Sequence, residues 1–587
     1  MRDTETEAVA AGPGAEPGAA AGPGTEPDAA ADPGADPGAA ADPGKEPGAA
    51  AGPGAAGPAA AGPATVASAA AGSATSTADG GVAYPAGAAY SSAAGAASTG
   101  AGGAASGPER SPSSGPGPVG GLSGSGPVGG EEEPLDLAGV GIGPFNLSLA
   151  ALGQGVPGLR AAFYEQRPDF RWHPGLMIEG ATLQVPFLAD LVTLADPANP
   201  WSFLRFLRER DRLFPFYFAE RFHMERTEYD AYCRWVSEGL AGLHFGHQVD
   251  EVRWNGERRL FEVDFTQLDA RGEAEALGRS YARNLVLGIG TAPHVPEPLR
   301  PLAESPSVPV IHSAEYLAHR ERLLEARHVT VVGSGQSGAE VFLDLLRRRP
   351  HGSEGLHWLT RSGAFAPMEY SKLGLEHFTP DYTRYFHGLP ERVRDRLLPR
   401  QWQLHKAVDH ETLAAVHEEL YRRTLDGGWP DAVLMPGVRV RTAGRLGTSR
   451  LELRLEHADQ EEHDRLVTDA VVLATGYRER PADGMLAALE PYLHRDSSQR
   501  LCVDAEFKLV LDSTVTGSVF VQNAERHTHG VGAPDLGLAA HRSAVILNAL
   551  RGEEVYPLPR RTAFTSFGLR EARSGAGAAG RSATVGV

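Results

Sequence analysis

Two glycine turns, each set between an apolar strand and a helix-forming run, constrain this chain more than any other feature. The later turn is complete: Gly333-Ser334-Gly335-Gln336-Ser337-Gly338 follows HVTVV and precedes AEVFLDLL. In a dinucleotide turn the first glycine permits the tight bend and the second lets backbone approach a pyrophosphate. The third lets helix and strand pack closely, and the helix N-terminus offers N–H groups and a positive dipole end to the phosphates. Gly333, Gly335, Gln336, Ser337 and Gly338 are therefore assigned to a nucleotide site; a strand–helix turn with chance glycines is the competing reading. About one strand later, LHWLTRSG carries Arg361. A NAD site places an acid there for the ribose hydroxyl, whereas an arginine suits a 2′-phosphate, so NADPH is favoured. The bland alternative for Arg361 is a surface arginine. The turn is not a G-x-S-x-G nucleophile elbow, since Ala339 stands where the last glycine belongs. No G-K-[ST] phosphate loop occurs in the chain.

The earlier turn lies in LDLAGVGIGPFNLSLAALG. Gly139, Gly141 and Gly143 supply flexibility, but Pro144 sits inside and Asn146 replaces the close-packing glycine. Read alone it is either a dinucleotide fingerprint or a Gly/Pro turn. The next strand-like run, LRAAFYEQ, brings Glu165 24 residues after Gly141, where a ribose-binding acid belongs. Far along the chain, Thr475, Gly476 and Tyr477 close the buried run DAVVLATGY. Two β-turn-α units about 190 residues apart argue for two nucleotide-binding domains. That pairing suggests a flavoprotein drawing on a nicotinamide donor.

Residues 1–133 are mostly Ala, Gly, Pro and Ser, with a ten-residue unit recurring as AGPGAEPGAA, AGPGTEPDAA and ADPGADPGAA. They lack the large side chains a core needs and are expected to be a disordered tail. The tail carries 15 acidic and 3 basic residues, so it accounts for −12 of the formal −19. The remaining −7 describes an ordinary surface, with no basic excess for nucleic acid. No secretory signal and no apolar run long enough to span a membrane are read, so no membrane partner is expected. Cys233 and Cys502 give no C-x-x-C, which fits a reduced cytoplasmic setting and argues against a disulfide reductase. His527 and His529 form H-x-H without a third ligand, so no metal is expected.

The folded part resembles the siderophore-biosynthesis N-hydroxylating flavin monooxygenases, which act on lysine, ornithine or diamines. The stretches that carry the resemblance include VGIGPFNLSLAAL, FRWHPGLMIEGATLQVPFLADLVTLADPANPWSFLRFL, VVGSGQSGAEVFLDLL, RSGAFAPMEYSK, VVLATGY and HTHGVGAPDLGLAAHRSA. Asn at the third-glycine position, as at Asn146, is characteristic of that family. The resemblance implies FAD on the first turn and NADPH on the second. Reduced flavin would meet O2 to form a C4a-hydroperoxide, whose distal oxygen a neutral primary amine attacks. It implies an α/β fold with two Rossmann-like domains and a small helical substrate region. The expected divisions are a disordered tail over 1–133, an FAD-binding part over 134–325 and an inserted NADPH-binding domain over 326–469. An FAD-binding return with a C-terminal helix follows over 470–570, and a flexible end over 571–587. Trp172 and His173 join the cofactor set, and Gln184 is expected beside the flavin ring. Family members are commonly oligomers, which implies a homo-oligomer.

One departure bears on the substrate. Members that act on ornithine usually carry Lys at Ala189, where it pairs with the substrate carboxylate, and Asn at Leu375. Here both are apolar, and a buried carboxylate without a partner is costly. A diamine, cadaverine or putrescine, is therefore expected. The alternative is lysine or ornithine, with the carboxylate held by Lys372 or Lys406. Glu369, Glu376 and Asp381 are candidates for a distal ammonium, each with a surface charge as its competing reading. A non-catalytic flavin- or NADP-binding protein is the alternative of another class.

Overall fold

The computed structural model describes residues 129–305, 309–425 and 427–569. The tail expected over 1–133 lies outside them apart from its last five residues, as does the end expected over 571–587. Among the described residues no helix is long and apolar enough to cross a membrane.

Two five-stranded parallel sheets organise the chain. The first has the order Val519–Val521, Leu285–Leu287, Leu137–Val140, Ala161–Glu165, Leu243–Phe245. All of its pairings are parallel. The second has the order Val310–His312, Ala470–Leu473, Val329–Val332, Leu356–Leu359, Ala432–Met435, again all parallel. Both faces of such sheets are covered, which is why LAGV and AVVL read as continuous apolar runs and are wholly buried. In each sheet the strand that feeds the glycine turn lies in the middle. From it the chain builds outward on one side and then crosses to the other, where the second sheet already has its edge strand Val310–His312. That reversal opens a crevice at the carboxyl ends of the strands, the place where doubly wound sheets bind ligands.

Each domain also carries a three-stranded antiparallel meander. One comprises His247–Asn255, Leu260–Leu268 and Ala274–Ala282; the other comprises Val438–Leu446, Arg450–His457 and Glu462–Thr468. The two chain passages between the domains pair with each other: Thr291–Pro293 lies antiparallel to Tyr477–Glu479. Val310–His312 and Ala470–Leu473, which boundaries at 325/326 and 469/470 give to the FAD-binding segments, pair within the second sheet instead. A buried apolar strand looks the same in either sheet, so pairing, not local sequence, draws that line.

The domains are locked together. Leu176 and Ile178 leave the first domain and are buried in the second domain's core, beside Ile311 and Tyr316. Gly175 has no room for a side chain, since a Cβ there would lie 1.8 Å from the Ala314 carbonyl oxygen. Arg226, at the start of the helix Arg226–Gly239, forms a bidentate pair with Glu340 of the helix Gln336–Arg348, both contacts 2.7 Å. Both side chains are buried. Burial pushes the Glu340 carboxyl up, against the pull of Arg226. Replacing either partner alone, as in Arg226→Met, strands a buried charge and is predicted to cost about 3–5 kcal/mol in urea unfolding. The double replacement Arg226→Met with Glu340→Leu should recover most of that loss, and a double variant as unstable as either single one would contradict this account.

Candidate functional site

A single cleft of about 3320 Å³ runs along both glycine turns. At the first turn, Gly141 has φ +87, and a Cβ on it would lie 2.4 Å from the Gly288 carbonyl oxygen on the neighbouring strand. Only glycine fits this crossing of the two central strands. Gly143 is different: a Cβ there meets nothing, because the residue faces the cleft. It begins the helix Pro144–Gly153, which has no side-chain cap and no acid in its first turn. The N–H groups and the dipole are thus left for an anion, which fits a pyrophosphate.

Asn146 explains how this turn dispenses with its third glycine. Its Nδ2 donates to the carbonyls of Val140 (3.1 Å) and Gly141 (2.8 Å), and its Oδ1 accepts from Gln522 Nε2 at 2.8 Å. The close approach is transferred to the next strand, where a Cβ on Gly288 would lie 2.6 Å from Asn146 Cγ. Asn146 is buried behind the turn and does not line the cleft. It positions the backbone there.

Glu165 ends its strand at the cleft. Its Oε2 accepts from the Ile142 N–H and its Oε1 from Arg167. Burial pushes its pKa up, but Arg167 and these N–H donors outweigh burial and hold it below the usual carboxylate value. An ionised acceptor beside the first turn suits a ribose hydroxyl. Trp172 and His173 line the same region. Burial, then the charges of Arg226 and Arg167, lower His173 to about 4, so its imidazole is neutral at physiological pH. Its ring meets Tyr477 edge-on at 5.5 Å, and His312 meets Tyr477 from the second domain at 5.1 Å. The Tyr477 hydroxyl is buried at the cleft with no partner among the described residues, a donor suited to a ligand acceptor.

At the second turn all three glycine roles are visible. Gly333 has φ +120 and would press a Cβ to 2.2 Å from the Ala474 carbonyl oxygen. Gly338 would press one to 2.2 Å from the Gly333 carbonyl oxygen, and Gly335 faces the cleft. The helix that follows has no side-chain cap and no first-turn acid. Ser337 lines the cleft. Gln336 does too, but its amide is engaged with protein: it accepts from the Asp409 N–H and donates to Glu340 and Thr412. Arg361 lines the cleft, and the Val438 N–H to Thr360 carbonyl bond brings Arg439 and Arg441 beside it. Neither arginine was singled out from sequence, because both lie in a meander strand whose place only pairing reveals. Thr475 and Gly476 tie the link between domains through the His294 backbone, and the Gly476 carbonyl also meets His312 Nε2 at 3.0 Å.

The substrate candidates divide. Gln184, Ala189, Leu375, Lys372 and Lys406 line the cleft. Gln184 Nε2 donates to the Thr182 carbonyl at 3.0 Å. Lys406 sits by the second turn, its carbonyl oxygen 3.4 Å from a Cβ built on Gly335, so it groups with the nucleotide site. The three acids lie off the cleft. Glu369 is exposed and accepts from the Ser371 N–H. Glu376 accepts from the N–H groups of Phe564 and Thr565, and Asp381 from those of Thr562 and Ala563. Both fasten the C-terminal segment, a role invisible until a stretch of chain 181 to 189 residues away is placed. Asp535, not singled out from sequence, lines the cleft instead. His527 and His529 meet the Leu501 carbonyl and the Thr528 hydroxyl.

Two dinucleotide turns opening on one cleft, with arginines at the second, define a two-domain nucleotide-dependent oxidoreductase. Residues 133–479 match the family L-lysine 6-monooxygenase/L-ornithine 5-monooxygenase, and the chain belongs to it. The rhizobactin siderophore biosynthesis protein RhbE of Rhizobium meliloti is 42% identical over 74% of this chain and 95% of its own. A putrescine N-hydroxylase of Shewanella oneidensis is 38% identical over 74% and 84%. The crystal structure of DfoA bound to FAD, a cadaverine monooxygenase of Erwinia amylovora, superposes with a TM-score of 0.69 at 38% identity, covering 74% of this chain and 98% of that one.

The two glycines of the first turn are predicted to separate on substitution. Gly143→Ala should fold with a near-native Tm yet purify with reduced flavin content, whereas Gly141→Ala should lower Tm, since its φ and the Gly288 carbonyl forbid a Cβ. Equal effects on Tm and flavin content in both variants would contradict the assignment.

Proposed function

We propose that the protein uses FAD and NADPH to hydroxylate one terminal amine of a diamine, cadaverine or putrescine, for hydroxamate siderophore biosynthesis. The observation that carries this reading is the apolar pair Ala189 and Leu375 in the cleft, where a substrate carboxylate would find no cation at 189. The putrescine N-hydroxylase and the cadaverine monooxygenase among its relatives support it. Lysine, or ornithine, is the second reading, favoured by Lys372 in the cleft wall.

Bound flavin supplies electron transfer from the nicotinamide and activation of O2. The chain's own residues bind, orient and exclude water. The N-terminus of Pro144–Gly153 and Glu165 hold the first dinucleotide by its pyrophosphate and ribose, and the second helix with Arg361 holds the other. Met368, Leu375 and Phe378 make the amine's surroundings apolar. Desolvation there favours the neutral amine, the form that is nucleophilic. Gln184 presents its amide to the reacting end, oriented by its bond to the Thr182 carbonyl. Cytoplasmic homo-oligomers are part of this reading. The exposed aromatic face of Phe214, Tyr217 and Phe218, each at least 70% exposed, supports association of copies.

Cadaverine or putrescine is expected to stimulate NADPH oxidation with matching hydroxylamine formation, each with a kcat/KM well above that for lysine or ornithine. A strong preference for either amino acid would overturn the diamine reading, and NADPH oxidation without any hydroxylamine product from the four amines would overturn the activity. Arg361→Ala is expected to raise KM for NADPH about tenfold while leaving KM for NADH nearly unchanged, because one charged hydrogen bond to the 2′-phosphate is lost while Arg439 and Arg441 remain. Equal changes for both nucleotides would remove Arg361 from that role.

A further inference from the structure

Asp535 is the recessed acid of the cleft that neither nucleotide turn nor any ion pair engages. Of the other acids in the lining, Glu165 belongs to the first turn and is paired with Arg167. Asp409 caps the helix His410–Arg422, and Glu297 and Glu411 are exposed at the rim. Asp535 begins the short helix Leu536–Leu538 and accepts the Gly537 N–H on Oδ1 at 2.7 Å. That bond fixes the carboxylate's orientation. Oδ2 accepts no hydrogen bond from the described residues, and the side chain is surrounded by protein except where it meets the cleft. The charge of Arg542 reaches it, but that guanidinium is committed elsewhere, to Glu525 at 2.9 Å and to the carbonyls of Gly532 and Ala533. Burial raises the Asp535 carboxyl to about 6, so at neutral pH it is ionised and short of a cation.

Its location joins it to the substrate. A Cβ built on Gly537 would lie 2.8 Å from Asp535 Oδ1 and 3.8 Å from the Ala189 methyl, so carboxylate and methyl flank one spot. No side-chain cation is supplied there by residue 189. Gln184 lies on Thr182–Pro186, five residues before Ala189, and both line the cleft.

We propose that Asp535 binds the distal ammonium of the diamine through Oδ2 and so sets specificity for a substrate charged at its far end. This rests on the diamine reading above. The bound ammonium supplies the charge that burial withholds from Asp535, and the carboxylate holds the other amine toward Gln184. A substrate lacking the second ammonium leaves a partly buried carboxylate unpaired, which is the stronger source of discrimination.

The test compares cadaverine with pentylamine, its counterpart without the second amine, in the holoenzyme and in Asp535→Asn. Asparagine keeps an oxygen for the Gly537 N–H and removes the charge, and flavin content reports folding. The unmodified enzyme is expected to favour cadaverine over pentylamine by about tenfold to a hundredfold in kcat/KM, the range of one charged hydrogen bond. Asp535→Asn is expected to collapse that ratio by the same factor, chiefly through KM for cadaverine. Equal losses on both amines, or an unmodified enzyme that takes pentylamine as readily as cadaverine, would overturn the assignment to Asp535 while leaving the diamine reading in place. Hydroxylation of lysine or ornithine alone would overturn the diamine reading and the distal-ammonium role together.

Discussion

The seam between the domains is what the rest of the site depends on. Two dinucleotides can exchange electrons only if their turns keep a fixed relation, and here that relation is set by buried contacts. Leu176 and Ile178 sit in the opposite domain's core, Gly175 touches the Ala314 backbone, and Arg226 grips Glu340. The pair also reaches the second nucleotide turn, because Glu340 accepts from Gln336 in the first turn of the same helix. A buried ion pair is weak evidence for stability but good evidence for a specified arrangement, since neither charge has another place to go.

The electrostatics of the cleft divide by task. Where phosphates belong, uncapped helix ends and arginines dominate. Where a ribose belongs, Glu165 stays ionised because backbone and Arg167 donors outweigh its burial. Next to the link between domains the titratable groups are kept neutral: His173 is lowered to about 4 and Tyr477 raised to about 12, both chiefly by burial. Surroundings that withhold water and keep their own titratable groups neutral protect reactive intermediates and leave an amine in its nucleophilic form.

Much of this was legible in the sequence, for reasons that can be named. The glycine turns could be read because backbone sterics and phosphate approach dictate residue type locally, and Glu165 because a fixed strand length separates it from Gly141. The family resemblance accounts for Asn146 in the fingerprint, but only Gly288 opposite it gives the physical reason: the close approach survives, moved to a residue 142 positions later. The domain limits, Arg439 and the true posts of Glu376 and Asp381 were not legible. Each depends on a partner far along the chain, and nothing in a carboxylate's own neighbourhood tells a strap for the C-terminal segment from a ligand for an amine. Asp535 escaped notice for the same reason, hidden in a loop that only folding carries to Ala189.

Such distant partners also impose an order of assembly. Asn146 must await Gln522, and Ser148 must await Ser543, with which it shares a 3.0 Å hydrogen bond. The second sheet, by contrast, has all five strands once residue 473 is made. On a ribosome the inserted domain can therefore close around its own core while the first sheet still lacks its edge strand Val519–Val521 and the helix Ala539–Arg551. The nucleotide fold that is begun first is the one finished last, and its half-made sheet must be tolerated until the strand Val519–Val521 and the helix Ala539–Arg551 emerge.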